Sequence, residues 1–521
     1  MRSLLGGVLA LTLVLSGCGT KAPTDNKGKV ETEQTDTSKP ATDDTAKADE
    51  IEKPKKITIM VDGTLVTKPN GRDAFEAKWE ELTGIELEII QPDHDAYYDN
   101  IAQTFASNKL PDVILLNSSA YTGYAEEGAL WDMTEAWENS ELRASGRIKD
   151  EALVDGLKLS GKLYGIAPGR GNGCITYVKK AWLDNVGMDV PTTYEQYLAM
   201  LEAFTTGDPD GNGVDGDTYG VSSAGLIGAE LPYTHYSPEF YQDAFPSFYI
   251  NDAGEWVDGF TEDSMIGALE RFKEAYEAGY VDKESLTNGT SDVRNKFYED
   301  KFGVFTYWAG IWGTNLKTNL EANGLDGELV ALPPLPEVGT YIERQAPAWA
   351  ITVGAENPEG IFKYFFETML DGGEVQKLFT YGVEDVHWST AAEEILGNTY
   401  AEGEFHMLEN LEKPGSQYTK NHIDPLLSIA EFTEFEDPGA KTVAPEAAAS
   451  AVAFGANSRL APLVPSNDPM SQYNGDLITL KREIIANVIT QGLSIESEME
   501  RFAKEGGLEW SEMIVNALNS K

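Results

Sequence analysis

Cysteine, histidine and positive charge are all scarce in this chain of 521 residues. There are two cysteines, Cys18 and Cys174, and five histidines, His94, His235, His387, His406 and His422. Two cysteines, one of them close to the N-terminus, supply no disulfide framework. The histidines form no His-Glu-x-x-His zinc motif, and neither a Gly-x-Ser-x-Gly elbow nor a P-loop occurs. Forty basic residues face 86 acidic ones, for a net charge of −46. That imbalance excludes nucleic acid as a partner and adsorption to anionic lipid. It also disfavours a highly anionic ligand unless a local basic pocket overrides it. Beyond the N-terminus no apolar run approaches the roughly 20 residues that span a bilayer.

The chain starts with Met1-Arg2-Ser3, an apolar run from Leu4 to Leu15, and Ser16-Gly17-Cys18. One positive charge, a short apolar segment and small residues make an export signal over residues 1–17. Leu15-Ser-Gly-Cys18 resembles a bacterial lipoprotein signal, in which Cys18 becomes the acylated first residue. An ordinary signal peptide with a chance cysteine is the alternative. Residues 18–55 then form a tether rich in Thr, Asp, Glu, Lys and Pro, with Val30 and Ile51 its large apolar residues. Such a segment buries too little surface to offset its ordering entropy, so disorder is expected. Cys174, with no second cysteine to bridge once Cys18 is acylated, reads as a small buried residue.

From Lys56 the pattern changes. Lys56–Asp62 and Ile85–Gln91 alternate as strands, and Pro111–Leu116 reads as a buried strand. Asp73–Thr83, with Phe75, Trp79 and Leu82 on one face, and Tyr97–Ser107 read as helices. Strands alternating with helices predict an α/β fold with a mostly parallel sheet. Further helices are expected at Tyr194–Phe204, Asp263–Ala278, Pro358–Leu370, Gln472–Gln491 and Ile495–Glu505.

One loop carries a chemical pattern of its own: Asp208-Pro-Asp-Gly-Asn-Gly-Val-Asp-Gly-Asp-Thr-Tyr219. Oxygen side chains fall at alternate positions, and the glycines permit a tight turn. Calcium needs six to eight oxygens, and such a loop converges them. Asp208, Asp210 and Asn212 are the side-chain candidates, Val214 supplies a carbonyl, and Asp217 or Asp215 completes the shell. A bare Asp/Asn-Gly turn is the alternative. The embedded Gly211-x-Gly213-x-x-Gly216 matches a dinucleotide fingerprint only formally, because no strand precedes it.

Three ordered segments carry a resemblance. They are Leu110-Pro-Asp-Val-Ile-Leu-Leu-Asn-Ser-Ser-Ala-Tyr121, Gly161-Lys-Leu-Tyr-Gly-Ile-Ala-Pro168, and Lys301-Phe-Gly-Val-Phe-Thr-Tyr-Trp-Ala-Gly-Ile-Trp312. With Tyr381-Gly-Val-Glu-Asp-Val-His-Trp388 they make the chain resemble the extracellular solute-binding proteins of bacterial ABC importers. The likeness is to the carbohydrate-type family that includes maltose-binding protein, in its branch with an Asp-Pro-Asp-Gly-Asn-Gly calcium loop. That resemblance implies a two-lobe α/β fold with a hinge and an interlobe ligand cleft. It places lobe one at 56–168 and 347–388, and lobe two at 169–346 and 389–521. Crossings are expected near Ala167–Gly171, Arg344–Trp349 and Asp385–Ala391. It further implies a carbohydrate, an oligosaccharide above all, as ligand, a permease as partner, a monomer, and lipid anchorage on the outer face of the cell membrane.

A sugar needs flat aromatic platforms edged by planar hydrogen-bonding groups. Trp308, Trp312, Trp349, Trp388, Tyr121 and Tyr473 fall at strand ends, crossings or turns and are the candidate platforms. Each taken alone reads equally as core packing. Asn117, Ser118, Arg170, Asn172, Glu384 and His387 are the polar candidates, with an ordinary ion pair as the alternative for Arg170. Trp79, Trp131, Trp137 and Trp182 are assigned to packing. Two other functions remain open. Among 86 acids a glycosidase carboxylate pair is expected background, so a secreted glycosidase or lyase is distinguished only by turnover. A surface adhesin would bind no small molecule.

Overall fold

The computed structural model describes residues 51–62, 68–69, 71–93, 96–225, 237–395, 398–408, 428–430, 432 and 444–520. The leader at 1–17, Cys18 and the tether as far as Glu50 lie outside the described residues, as do His94, His235 and His422. The folded body begins at Ile51, earlier than the composition suggested. The Glu52 carbonyl accepts from Asn357 Nδ2 at 2.7 Å, and Pro54 is buried, so residues 51–55 belong to the body.

The strands that position the site are, in chain order, β1 (Lys56–Met60), β2 (Glu86–Ile90), β3 (Val113–Leu116), β4 (Gly165–Ile166), β5 (Cys174–Lys179), β6 (Tyr219–Val221), β7 (Phe302–Trp308), β8 (Leu329–Leu332), β9 (Tyr341–Glu343), β10 (Ala348–Ile351), β11 (Trp388–Ser389), β12 (His406–Met407) and β13 (Ser458–Leu460). The helices used below are α1 (Arg72–Thr83), α2 (Tyr97–Ser107), α3 (Ser118–Glu126), α4 (Tyr194–Thr206), α5 (Pro238–Tyr241), α6 (Asp263–Glu277), α7 (Thr290–Tyr298), α8 (Trp312–Ala322), α9 (Glu374–Tyr381), α10 (Pro445–Asn457), α11 (Asp468–Gln491) and α12 (Gly507–Asn519).

The first sheet runs β2-β1-β3-β10-β4, with β1, β2 and β3 parallel and β10 antiparallel to its neighbours. The alternation of Lys56-Ile-Thr-Ile-Met sets its register, pairing Ile57 with Leu87 and Ile59 with both Ile89 and Val113. Phe75 and Trp79, one helical turn apart on α1, cover this sheet and meet Phe365 and Phe379 edge-on or tilted at 5.3–6.0 Å. The second sheet runs β8-β5-β7-β6. β5 is antiparallel to β7 and β8, and β7 is parallel to β6. One of its cores gathers Trp182, Phe204, Phe272, Ile484 and Val488, and another gathers Phe297, Phe305, Tyr307, Leu316 and Phe454. Each sheet thus buries its own apolar surface, which is what makes two lobes.

The chain passes between the sheets at residues 167–173 and 344–347, close to the expected places. These two crossings run against each other. Arg344 N donates to Asn172 O at 3.0 Å, and Arg344 Nε to Gly171 O at 2.8 Å. The approach is so close that a Cβ on Gly171 would lie 1.7 Å from the Arg344 carbonyl oxygen, so only glycine fits there.

The third crossing is elsewhere. Residues after Trp388 stay with the first lobe: β11 pairs with β12, Phe405 packs on Tyr381, and Ile429 and Ala430 join the first core. α10 then packs on α8 of the second lobe. The passage to lobe two falls between Ala430, in the first core, and α10, and the chain touches the first core once more at Leu463 before Val464 packs on the second. Lobe two therefore does not begin at residue 389, and the Asp385–Ala391 turn is not a crossing.

Candidate ligand-binding site

In α/β lobes, ligands meet the carboxyl ends of the parallel strands. Here those ends are where the crossings leave. β7 ends at Trp308 opposite Cys174, the first residue after a crossing, and β4 ends at Ile166, just before it. The candidate site is therefore built from Asp62, Gln91 and Asn117 at the edge of lobe one and from Trp308 to Trp312 at the edge of lobe two.

On lobe two the two tryptophans of the Tyr307-Trp-Ala-Gly-Ile-Trp312 turn are half-exposed. Alternation along β7 sends Tyr307 and Trp308 to opposite faces. Trp308 is covered by the Arg344 guanidinium, 4.5 Å from its ring centroid. Trp312 opens α8 and meets Tyr307 edge-on at 4.9 Å. Arg294 of α7 lies 5.3 Å from the Trp312 centroid and donates through Nη1 to the Tyr307 hydroxyl at 2.7 Å. Burial pushes the Tyr307 phenol up, and the Arg294 charge works against that rise.

On lobe one, Asn117 caps α3, its Oδ1 accepting from Ala120 N at 2.9 Å. Ser118 is the first residue of that helix and half-buried. Both sit at the carboxyl end of β3. Glu384 is exposed in the turn before β11.

The structure engages the remaining candidates in packing or in hydrogen bonds within the chain. Tyr121 is fully buried on the inner face of α3; its hydroxyl donates to Leu157 O at 2.7 Å and accepts from Tyr164 N at 3.0 Å. Trp349 is 1% exposed, because β10 is covered on both faces and its indole packs on Phe365. Trp388 is buried with its indole N–H on Gly382 O at 3.1 Å. His387 is fully buried, its Nδ1 accepting from Val383 N at 2.7 Å. Arg170 forks onto the buried carboxylate of Glu343, Nε lying 2.9 Å and 3.1 Å from its two oxygens, so the ion-pair alternative holds. Asn172, at φ 61°, donates to Ala309 O at 2.9 Å and pins the crossing. Tyr473 stacks on Trp510 at 6.0 Å on the α11–α12 face of lobe two.

Arg72 and Arg294 are the edge residues that sequence reasoning missed. Arg294 has no acid three or four positions away along α7, a readable signal in so acidic a chain. Arg72 has Glu76 four positions on, yet Glu76 is turned away to accept from Ile89 N at 3.0 Å.

A cavity of about 90 Å³ also opens on lobe two, lined by Cys174, Tyr241, Phe245, Tyr341 and Arg459 among others. It is far smaller than the roughly 300–1,000 Å³ of ligand pockets, so it is not the main site.

The Asp-rich loop joins α4 to β6, at the amino end of β6 and so at the opposite edge from the tryptophans. It is a knot of hydrogen bonds. Asn212 Nδ2 reaches Asp210 Oδ2 at 2.8 Å and Asp217 Oδ2 at 3.0 Å, Gly213 N reaches Asp208 Oδ2 at 2.9 Å, and Val214 N reaches Asn212 Oδ1 at 2.8 Å. Asp208 Oδ1 is buried with no hydrogen-bond partner among the described residues. Burial pushes the Asp210 acid up, and the Asp208 carboxyl beside it adds to the rise. Asp215 is exposed. Among the described residues no three His, Cys, Asp or Glu side chains are drawn together as a metal cluster.

Two sheets with separate cores, joined by three crossings and facing each other at their carboxyl edges, define a two-lobed solute-binding protein. The chain belongs to the bacterial extracellular solute-binding protein family, whose model matches residues 68–371. It is 26% identical to lipoprotein LipO of Bacillus subtilis (strain 168) over 258 residues, 48% of this chain and 50% of LipO. The match thus spans half the length of that relative. It is 22% identical over 385 residues to the polygalacturonan/rhamnogalacturonan-binding protein YtcQ of the same organism, 68% of this chain and 72% of YtcQ. In fold it is similar to Streptococcus pneumoniae FusA in complex with kestose, with TM-score 0.60 at 16% identity over 89% of this chain and 99% of FusA. It is likewise similar to an HMO-binding solute-binding protein from Bifidobacterium longum infantis, with TM-score 0.63 at 16% identity over 89% and 98% of the two chains.

Proposed function

We propose that this protein captures an oligosaccharide between its lobes and delivers it, chemically unaltered, to the membrane subunits of an ABC importer. The observation that carries the reading is the pair of half-exposed tryptophans, Trp308 and Trp312, at the carboxyl edge of lobe two. An indole face removes about 50–100 Å² of apolar sugar surface from water, about 1–2.5 kcal/mol at 25 cal/mol/Å². Two such platforms with a few hydrogen bonds reach micromolar affinity when the lobes are preorganised. The family membership supports it, as do the saccharides named for YtcQ and for the fructooligosaccharide-binding FusA. Lobe closure follows if the ligand binds the closed form more tightly than the open one. Calorimetry of the purified protein against a panel of oligosaccharides tests the reading. Saturable binding with the sugar recovered intact supports it; cleaved product makes the protein an enzyme, and no binding leaves the adhesin.

Two attributes complete the proposal. Acylation of Cys18 holds the protein on the outer face of the membrane, as a lipoprotein relative suggests. Calcium sits in the 208–217 loop, held by Asp208, Asp210, Asn212, the Val214 carbonyl and Asp217. The buried, unpartnered Asp208 oxygen fits this, as does the Asn212 amide spanning two carboxylates. Asp217 is preferred to Asp215 because it already lies in that hydrogen-bonded knot. A structure of FusA with its EF-hand mutated is among the neighbours in fold. The ion braces lobe two, remote from the ligand edge.

A further inference from the structure

In a chain with 86 acids and 40 bases a cation has carboxylates in excess to pair with. Most of the buried and half-buried cations here have found a carboxylate: Arg170 with Glu343, Lys179 with Asp300, Lys481 with Asp258, and Lys296 with Asp282 and Glu284. Two at the facing edges have not. Arg294, half-buried, donates to the Tyr307 and Ser291 hydroxyls and lies over Trp312, with no ion pair among the described residues. Lys296, two residues on, takes the nearby acids Asp282 and Glu284 at 2.8 Å and 2.5 Å. Arg72, half-buried at the start of α1, makes one long contact, Nη1 to Gln91 Oε1 at 3.4 Å. Its Nε is buried without a partner, and it too has no ion pair among the described residues. Gln91 in turn donates to Asp62 O at 3.3 Å, which places Arg72 at the carboxyl ends of β1 and β2. Each lobe therefore presents one uncommitted guanidinium at the edge that faces the ligand, and the one on lobe two adjoins a stacking indole.

From this juxtaposition we infer that the ligand is an acidic oligosaccharide whose carboxylates are read by Arg72 on lobe one and Arg294 on lobe two. The inference rests on the saccharide-capture reading above. A planar carboxylate matches the guanidinium fork, and Trp312 beneath Arg294 supplies the ring platform for the same sugar unit. The overall negative charge works against an anion at long range. Salt screens that repulsion over about 8–10 Å, while the short charge-assisted contacts persist. An anion that bridges the two lobes also favours their closure, because it gains its second partner only in the closed form.

The test is calorimetry of the full chain with short oligouronates, the same chains as methyl esters, and a neutral panel. The ester keeps the rings and removes the charge. The uronate is expected to bind at least tenfold more tightly than its ester. Arg294→Gln and Arg72→Gln should each lower uronate affinity by about tenfold and bring it toward that of the ester. Arg294→Lys, which keeps the charge over Trp312, should retain part of the preference and guards against a folding defect. Equal or tighter binding of esters or neutral chains overturns the acidic assignment and leaves saccharide capture standing. An acid preference that survives both Gln variants overturns the placement. If no saccharide of any panel binds, this inference and the reading beneath it both fall.

Discussion

Glu239→Gln should flatten the pH dependence of stability of lobe two. Glu239, on α5, is 1% exposed and accepts from Thr176 Oγ1 at 2.6 Å, with Thr306 Oγ1 3.0 Å further along. Among the described residues its second oxygen has no hydrogen bond of good geometry, and the buried Tyr197 hydroxyl lies beside it. The groups around it, Thr176 of β5, Thr306 of β7, Tyr197 of α4 and Tyr341 of β9, are all uncharged at neutral pH. Burial without a cation pushes the carboxyl from 4.5 up to about 7. The folded state therefore holds this proton more tightly than the unfolded one. The stabilisation is full below pH 4.5 and is lost as pH rises through 7. At about 1.36 kcal/mol per pH unit the whole effect is about 3 kcal/mol, of which about 2.5 falls between pH 5 and pH 8. Glutamine keeps the shape and has no proton to lose. Urea melts of both proteins across that range isolate the difference from the other acids. Wild type should lose about 2.5 kcal/mol relative to the variant. Parallel curves, with no change in the gap, would show that Glu239 is solvated or paired and that the reasoning is wrong.

Trp312→Ala should weaken oligosaccharide binding about tenfold or more by calorimetry. Trp349→Ala should instead cost about 3–5 kcal/mol of stability through the core it empties; the opposite pattern would misplace the site. If Cys18 carries the proposed anchor, Cys18→Ser should move the protein from the membrane to the soluble fraction, because acyl chains bind at about 0.8 kcal/mol per buried methylene; a variant that still pellets with membranes would refute this. Chelation should lower the melting temperature and leave saccharide affinity unchanged. An extracellular-type site with Kd on the order of 10⁻⁴ M contributes about 1.4 kcal/mol at roughly millimolar calcium. A melting curve indifferent to chelator, with no metal by elemental analysis, would refute the site.

The elements were legible wherever one face is buried and the other wet. Period-two alternation located β1 and β2, and the Phe75–Trp79 spacing located α1, to within a residue or two. The site was less legible, because the end of a strand fixes where a side chain lies along the sheet and not which way it points. Trp308 and Tyr307 are neighbours in sequence and lie on opposite faces, one under Arg344 and the other against Trp312. Tyr121 was misread for the same reason. It follows a strand, but its spacing to Ala125 is helical, and that pair is the inward face of α3. Trp349 was misread because a central antiparallel strand is buried on both faces and shows no alternation. His387 was misread because it fills the space left by Gly71 and Gly382, positions that no local pattern connects, and Trp388 because its indole N–H is tied to Gly382 O. The third crossing falls beyond Ala430 and not at Asp385–Ala391, because a matching motif marks the packing around a turn, not the path the chain takes afterwards. Hardest of all to read was Arg72, whose sequence offers it Glu76 at the right helical spacing. The acid is engaged by the Ile89 N–H of the neighbouring strand. Local charge patterning describes the partners a helix can supply, and the sheet it packs on decides which of them it keeps. That is why Arg72, unlike Arg294, emerges only once the fold has been assembled.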